Sequence, residues 1–100
     1  MIKHIILWEL KDEYSDNEKA GIKMRIKGGL EGLMGQIEGL KYIKVYTNGL
    51  PSSNVDLMLD SSFESEKALK DYAVNPLHVE VADTYVRPFT AKRSCLDFEV

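Results

Sequence analysis

The segment from Tyr72 to His78 carries the side chains of this 100-residue chain that are best suited to acid–base chemistry. Histidine takes up or releases a proton near neutrality because its unperturbed pKa is about 6.5. A tyrosine hydroxyl donates a hydrogen bond to a carbonyl oxygen or an enolate, and this bond is stronger in a dry pocket than in water. His4 is the only other histidine. If the fold brings these three residues together, they form a small polar site that suits proton transfer or small-molecule binding.

The pattern leaves two interpretations of these residues open. In the first, His78 is a general base, Tyr72 stabilises a negatively charged oxygen, and His4 orients the pair. In the second, Tyr72 and His78 form a structural hydrogen bond at a helix break, and His4 is a satisfied core histidine. The first interpretation predicts catalytic roles for His78 and Tyr72. The side chains expected to bind a ligand or line its pocket are His4, Trp8, Leu30, Tyr85 and Phe89.

The elements that must position these residues follow from hydrophobic periodicity and turn residues. Ser15 and Glu18 form a capping box before a long amphipathic helix that ends near Gly39. Pro76 ends a second helix, which begins near residue 62 or 65, and starts a third that runs to Pro88 with an apolar stripe. The stripe consists of Leu77, Val81 and Tyr85, with His78 and Ala82 beside it. The predicted strands are residues 2–11, 42–47, 55–61 and 94–98. This βαββαβ order is typical of the α+β ferredoxin-like fold, a four-stranded antiparallel sheet with helices on one face.

Both faces of the first strand carry apolar side chains, which other parts of the protein must cover. Ile6 and Trp8 point to one face, and Ile5 and Leu7 point to the other. A chain of 100 residues supplies only one layer of helices. Because a small domain also gains stability from a partner subunit, we predict a homodimer that covers the second face.

Composition and charge are those of an ordinary globular domain. The chain is 44% hydrophobic and 29% charged, which predicts one domain over residues 1–100. Its net charge is −3 and its Lys and Arg residues are scattered, so we expect neither nucleic acid nor an anionic membrane as a partner. The apolar run from Ile5 to Trp8 is far too short for a signal peptide or a membrane span. We therefore expect a cytoplasmic protein.

The sequence offers little for a metal or a cofactor. Cys95 is the only cysteine, which excludes an internal disulfide and a paired-cysteine zinc site, and we expect it to be a small core residue. Asp56 and Asp60 lie four residues apart, but hard cations usually need about six oxygen ligands. No glycine-rich phosphate loop or nucleophile elbow is present. We expect no cofactor and no required metal.

Several segments resemble the stress-responsive dimeric α/β-barrel family, also called Dabb. They are Lys3-His4-Ile5-Ile6-Leu7, Asp56-Leu57-Met58-Leu59 with Ser62-Phe63-Glu64-Ser65, Ala68-Leu69-Lys70-Asp71-Tyr72, Pro76-Leu77-His78 and Cys95-Leu96-Asp97-Phe98. The resemblance runs from Ile2 to about Glu99. It implies a homodimer in which the open faces of two sheets pack together as a barrel.

The resemblance also implies roles for the polar residues. In the best-understood enzymes of the family, plant polyketide cyclases related to olivetolic acid cyclase, residues placed like Tyr72 and His78 carry out an aldol-type ring closure. A residue placed like His4 lines their pocket. A further pocket histidine of those enzymes is replaced here near Asp56, and the histidine that often precedes the proline is Asn75.

The residues and the resemblance together give four hypotheses of function. The first is a homodimeric Dabb-domain protein that binds a small apolar or carbonyl-bearing molecule between sheet and helices. The second is a polyketide cyclase-like lyase or isomerase with His78 as base and Tyr72 as oxyanion donor. The third is a haem- or quinol-type monooxygenase, on fold-level analogy alone. The fourth is a structural stress-response assembly without a ligand site.

Overall fold

The chain folds into a four-stranded antiparallel sheet whose inner face is covered by helices. The computed structural model describes all residues from Met1 to Val100. The elements are β1 (Ile2–Leu10), α1 (Asp16–Glu31), β2 (Leu40–Tyr46), β3 (Leu57–Phe63), α2 (Glu66–Val74), α3 (Pro76–Val81), a π-helical segment (Ala82–Val86) and β4 (Thr90–Glu99). The strand order is β2-β3-β1-β4, which confirms the predicted ferredoxin-like fold. None of the helices has the length and apolar character needed to cross a membrane.

Helix α1 begins as predicted and ends earlier. The Ser15 hydroxyl accepts a hydrogen bond from the Glu18 amide, and the Glu18 carboxylate accepts one from the Ser15 amide. The helix ends at Glu31, and residues 32–36 form turns in place of the predicted helix to Gly39. Gly35 takes a φ of +82°, which is open to glycine but not to most residues, so the helix cannot continue through it.

The inner face of the sheet forms the core together with α1. Alternate residues of β1 are buried there: Ile2, His4, Ile6, Trp8 and Leu10. Helix α1 contributes Ile22, Ile26 and Leu30, whose four-residue spacing forms one apolar stripe. Gly29 lets α1 come close to its neighbours, since a Cβ at this position would lie 3.0 Å from a Val81 methyl carbon.

The other face of the sheet, here called the open face, has no covering layer within one chain. Directly paired residues of neighbouring strands point to the same face, so the strand register identifies its members. Its large apolar residues are Ile5, Leu7, Tyr42, Tyr46, Met58, Leu96 and Phe98. A Lys3–Asp60 ion pair lies among them. The predicted two-faced first strand is therefore present, with one of its faces uncovered in a single chain.

The structure predicts a difference between two glycines with the same backbone angle. Gly39 has a φ of +83°, and an added Cβ there would lie 2.5 Å from the Cβ of Ala68 on α2. Gly35 has a φ of +82° and open space around it. We expect Gly35→Ala to lower the free energy of unfolding by about 1–2 kcal/mol through backbone strain. Gly39→Ala should lower it further because α2 must also shift. Urea denaturation measures both changes, and equal values would contradict the predicted clash.

Candidate functional site

A cavity of about 190 Å³ lies between the inner face of the sheet and the helices. Its apolar wall combines residues from the first and third strands with residues from α1, α2 and the π-helical segment, and α3 adds His78. The lining residues are His4, Ile6, Trp8, Leu30, Leu59, Leu69, Tyr72, Ala73, His78, Ala82, Val86, Arg87, Thr90 and Arg93. The three polar rings predicted from the sequence therefore meet at one cavity.

Five of the seven predicted site residues line this cavity, and two do not. His4, Trp8, Leu30, Tyr72 and His78 are brought together.

Tyr85 and Phe89, which the sequence analysis expects at the ligand pocket, do not line this cavity. The hydrogen bonds of the π-helical segment span one residue more than those of an α-helix, and the segment buries Ala82 and Val86 rather than Tyr85. The Tyr85 ring lies against Gly29 on α1 instead, 3.1 Å from the place of an added Cβ. Phe89 packs on Tyr14, with ring centroids 5.9 Å apart.

Tyr72 is the most deeply buried polar ring of the site. It is 1% exposed, and its ring packs against the Phe63 ring in an edge-to-face arrangement, with centroids 4.8 Å apart. Its hydroxyl has no hydrogen-bond partner within the protein. Burial strongly raises the pKa of the Tyr72 phenol, so the hydroxyl keeps its proton and is available as a donor.

The helix break between α2 and α3 places His78 over Tyr72. In an uninterrupted helix, residues six apart would lie about 120° apart around the axis. Here Asn75 has an extended backbone, and its side chain caps α3 by accepting a hydrogen bond from the Leu77 amide. Pro76 then occupies the first turn of α3. As a result the Tyr72 and His78 rings stack, with centroids 4.1 Å apart and planes inclined by 31°.

His78 is half-buried and neutral at neutral pH. Burial has the largest effect and lowers the pKa of His78 below its ordinary 6.5, with Arg87 acting in the same direction and the Ala73 backbone acting against both. The Nδ1 atom is buried without a hydrogen-bond partner in the protein. Tyr72 and His78 thus stack without bonding to each other, and the structural hydrogen bond considered from the sequence is not present.

His4 is held by a residue that sequence reasoning missed. Its Nδ1 atom lies 2.5 Å from a carboxylate oxygen of Asp97, the residue directly opposite on β4. Cys95, on the same face of β4, places its sulfur 3.9 Å from the same nitrogen. The His4 ring lies 6.3 Å from the Tyr72 ring, measured between centroids. Cys95 is exposed, so the expectation of a core cysteine is wrong, because no helix covers β4.

An open groove of about 520 Å³ adjoins the cavity along β4. The two share His4, Leu69, Ala73 and Arg93 as lining residues. Arg87, Thr90 and Arg93 were also missed by sequence reasoning. Only the register of β1 with β4 shows that Arg93, opposite Trp8, belongs to the inner face. The cavity therefore has an apolar interior and a polar, partly cationic edge.

The unpartnered Tyr72 hydroxyl predicts an unusual stability change. A buried polar group without a partner costs about 1–3 kcal/mol. We expect Tyr72→Phe to raise the free energy of unfolding by up to about that amount. Tyr85→Phe is the matched control, since Tyr85 is exposed, and it should change stability by less than about 0.5 kcal/mol. Chemical denaturation of the three proteins tests this, and a destabilised Tyr72→Phe variant would contradict it.

Comparison with known proteins assigns the fold to a family. A family model of the stress responsive A/B barrel domain, Dabb, matches residues 2–100. Olivetolic acid cyclase from Cannabis sativa is 25% identical over 97 residues, which cover 97% of this chain and 94% of that protein.

Two solved structures show the same architecture. A dimeric protein of unknown function with a ferredoxin-like fold from Bacteroides fragilis has a TM-score of 0.92 and 29% identity, covering 99% of this chain and 95% of that one. Hydroxynitrile lyase from Passiflora edulis has a TM-score of 0.71 and 19% identity, covering 97% and 90%, a likeness of fold alone. The family match over nearly the whole sequence, carried on a sheet and helices of this topology, shows that the chain belongs to the stress responsive A/B barrel (Dabb) family.

Proposed function

We propose that this chain forms a homodimer and that each protomer binds a small carbonyl-bearing molecule in the cavity between sheet and helices. One observation carries the ligand proposal. The Tyr72 hydroxyl is a buried donor without a protein partner, and Tyr72 lines a cavity whose wall is mostly apolar. Buried polar groups are almost always hydrogen-bonded, so this donor calls for an acceptor. A carbonyl oxygen on a compact apolar molecule supplies one.

The dimensions of the cavity limit the size of this ligand. Pockets that enclose drug-sized molecules measure roughly 300–1,000 Å³, whereas this cavity measures about 190 Å³. Trp8, Leu30 and Leu59 offer apolar contacts to the body of the molecule. A longer ligand would extend past His4 into the adjoining groove. A small ketone, aldehyde or ester fits these limits.

A second candidate function, catalysis of proton transfer, is favoured by the pairing of Tyr72 with His78. His78 is neutral at neutral pH because burial lowers its pKa, so it is able to accept a proton. It would take a proton from the carbon next to the carbonyl, and the Tyr72 hydroxyl would stabilise the enolate oxygen. The enolate carbon could then form a bond to a second carbonyl carbon, which is the ring closure of a cyclase. A relative at 25% identity is named olivetolic acid cyclase, which agrees with this candidate.

The other two hypotheses receive less support from the geometry. A purely structural assembly would have side chains filling the space beside His78, and a cavity lies there instead. In a haem- or quinol-type monooxygenase the large ligand would also have to occupy the adjoining groove, because the cavity alone is smaller than the usual range for drug-sized molecules.

The open face supports the homodimer part of the proposal. Seven large apolar side chains lie on it, and Leu96 is 63% exposed in the single chain. Contiguous exposed apolar patches of this kind usually mark interfaces. A similar structure, at 29% identity, is described as dimeric. Two open faces packed against each other would bury Ile5 and Leu7 and form a closed barrel.

The homodimer is tested by a charge on the open face. Leu96→Lys would place an unpaired charge in the interface, and we expect it to convert the dimer to a monomer at micromolar concentration. Leu50→Lys is the matched control, because Leu50 is 74% exposed outside the sheet and should leave the dimer intact. Light scattering gives the masses. A monomeric wild type, or a dimeric Leu96→Lys variant, would contradict the proposed interface.

Ligand binding is tested with a small ketone and the intrinsic fluorescence of Trp8. This residue is the only tryptophan, and it lines the cavity. Cyclohexanone should change the fluorescence saturably, and Tyr72→Phe should weaken the affinity about tenfold by removing one hydrogen bond. Tyr85→Phe should bind like the wild type. A response that does not saturate, or that is equal in the wild type and Tyr72→Phe, would contradict binding at the predicted donor.

The same ketone distinguishes binding from catalysis. Exchange of its α-hydrogens for deuterium can be followed by NMR, and an active base should accelerate it. We expect His78→Ala to lower this acceleration about 100-fold or more. In the wild type, the acceleration should fall as the pH drops below the lowered pKa of His78, where the imidazole becomes protonated. Unchanged exchange in His78→Ala would exclude catalysis and leave the binding proposal standing.

A further inference from the structure

We propose that His4, Cys95 and Asp97 form a binding site for a thiophilic divalent metal ion, with Zn²⁺ as the best match. One nitrogen, one sulfur and one oxygen ligand atom from these residues all lie within 4.8 Å of one another. The three residues also line the open groove along β4, so an ion can reach them from solvent. This inference does not depend on the nature of the carbonyl ligand.

The strand register fixes the positions of the three residues. Asp97 pairs directly with His4, and Cys95 pairs with Ile6, one step along the same face. No helix covers this edge of the sheet, so the ends of the Cys95 and Asp97 side chains remain free to adjust. The paired backbones of β1 and β4 therefore keep the three ligand residues adjacent, while the side chains of Cys95 and Asp97 can still rotate.

The distances are close to those of a zinc centre. With Zn–N, Zn–O and Zn–S bonds of about 2.0–2.3 Å, neighbouring ligand atoms of a tetrahedron lie about 3.3–3.6 Å apart. The Cys95 sulfur lies 3.5 Å from the Asp97 oxygen and 3.9 Å from the His4 Nδ1 atom. The nitrogen and the oxygen are closer, at 2.5 Å, and must separate by about 1 Å. The Asp97 side chain is 45% exposed and can make this rotation.

The chemistry of the donor set points to zinc rather than to magnesium or calcium. Thiolate and imidazole ligands suit Zn²⁺, whereas Mg²⁺ and Ca²⁺ require mostly oxygen ligands. Three protein ligands leave a fourth tetrahedral position open toward the groove, as in zinc sites that bind water or substrate. The remaining charged residues of the groove balance in number, since Glu66 and Glu99 line it together with Lys70 and Arg93. The local negative charge is thus set by Asp97 and a metal-bound Cys95 thiolate.

The experiment titrates the untagged, reduced protein with Zn²⁺ by calorimetry and with Co²⁺ by absorption spectroscopy. We expect one ion per chain, and a near-ultraviolet band from charge transfer between thiolate and Co²⁺. Cys95→Ser should abolish this band, and Cys95→Ser and Asp97→Asn should each lower Zn²⁺ affinity at least tenfold. Both residues are exposed at β4, so these variants should fold normally. His4 is left unchanged because it is buried in the core.

Two controls make the result specific to this site. Asp83→Asn removes an exposed carboxylate on the π-helical segment and should leave Zn²⁺ affinity unchanged. Tyr72→Phe changes the cavity and not the metal ligands, so it should also bind Zn²⁺ like the wild type. Failure to saturate, or equal affinity in the wild type, Cys95→Ser and Asp97→Asn, would overturn the proposed site. Saturable Zn²⁺ binding by a wild-type protein that does not bind cyclohexanone would overturn only the carbonyl proposal.

Discussion

The interruption of the helix at Asn75 and Pro76 is the constraint on which the site depends. Without it, Tyr72 and His78 would point to different sides of one continuous helix. The proline removes a backbone donor and forces its predecessor out of helical geometry, and the asparagine side chain then starts the next helix. Two rings from adjacent helices consequently stack over the sheet. The local backbone chemistry of two residues thus creates the polar end of the cavity.

The fold could largely be predicted from the sequence because its local signals agree with one another. The capping box at Ser15, the alternation of β1 and the Pro76 break each act within a few residues. The end of α1 was predicted too late, since Leu33 and Ile37 remain buried in turns and mimic helical spacing. The family, recognised from short segments, was confirmed over residues 2–100.

The positions of the site residues could be predicted only where they follow from the periodicity within one helix or strand. Tyr72, His78 and His4 come together as expected, because their elements were placed correctly. Tyr85 was misplaced because an extra residue in a π-helical turn rotates every later position, and the sequence has no clear signal for such a turn. Asp97 was missed as the partner of His4, since contacts between strands depend on register over about ninety residues of chain. The pairing of strands that are far apart in the chain, unlike local secondary structure, cannot be predicted from the pattern of the sequence.

Strand β4 carries residues of opposite kinds on its two sides. Arg93, Cys95 and Asp97 line the groove, whereas the register places Leu96 and Phe98 on the open face, and Phe98 also borders the groove. Between residues 93 and 98, odd positions therefore hold the reactive groups, and Leu96 and Phe98 at even positions are suited to assembly. A substitution at Cys95 can therefore alter the groove while Leu96 on the open face keeps its place, and the reverse also holds. An inserted residue, by contrast, would move each set to the other face of the sheet, so this strand is especially sensitive to a change in length.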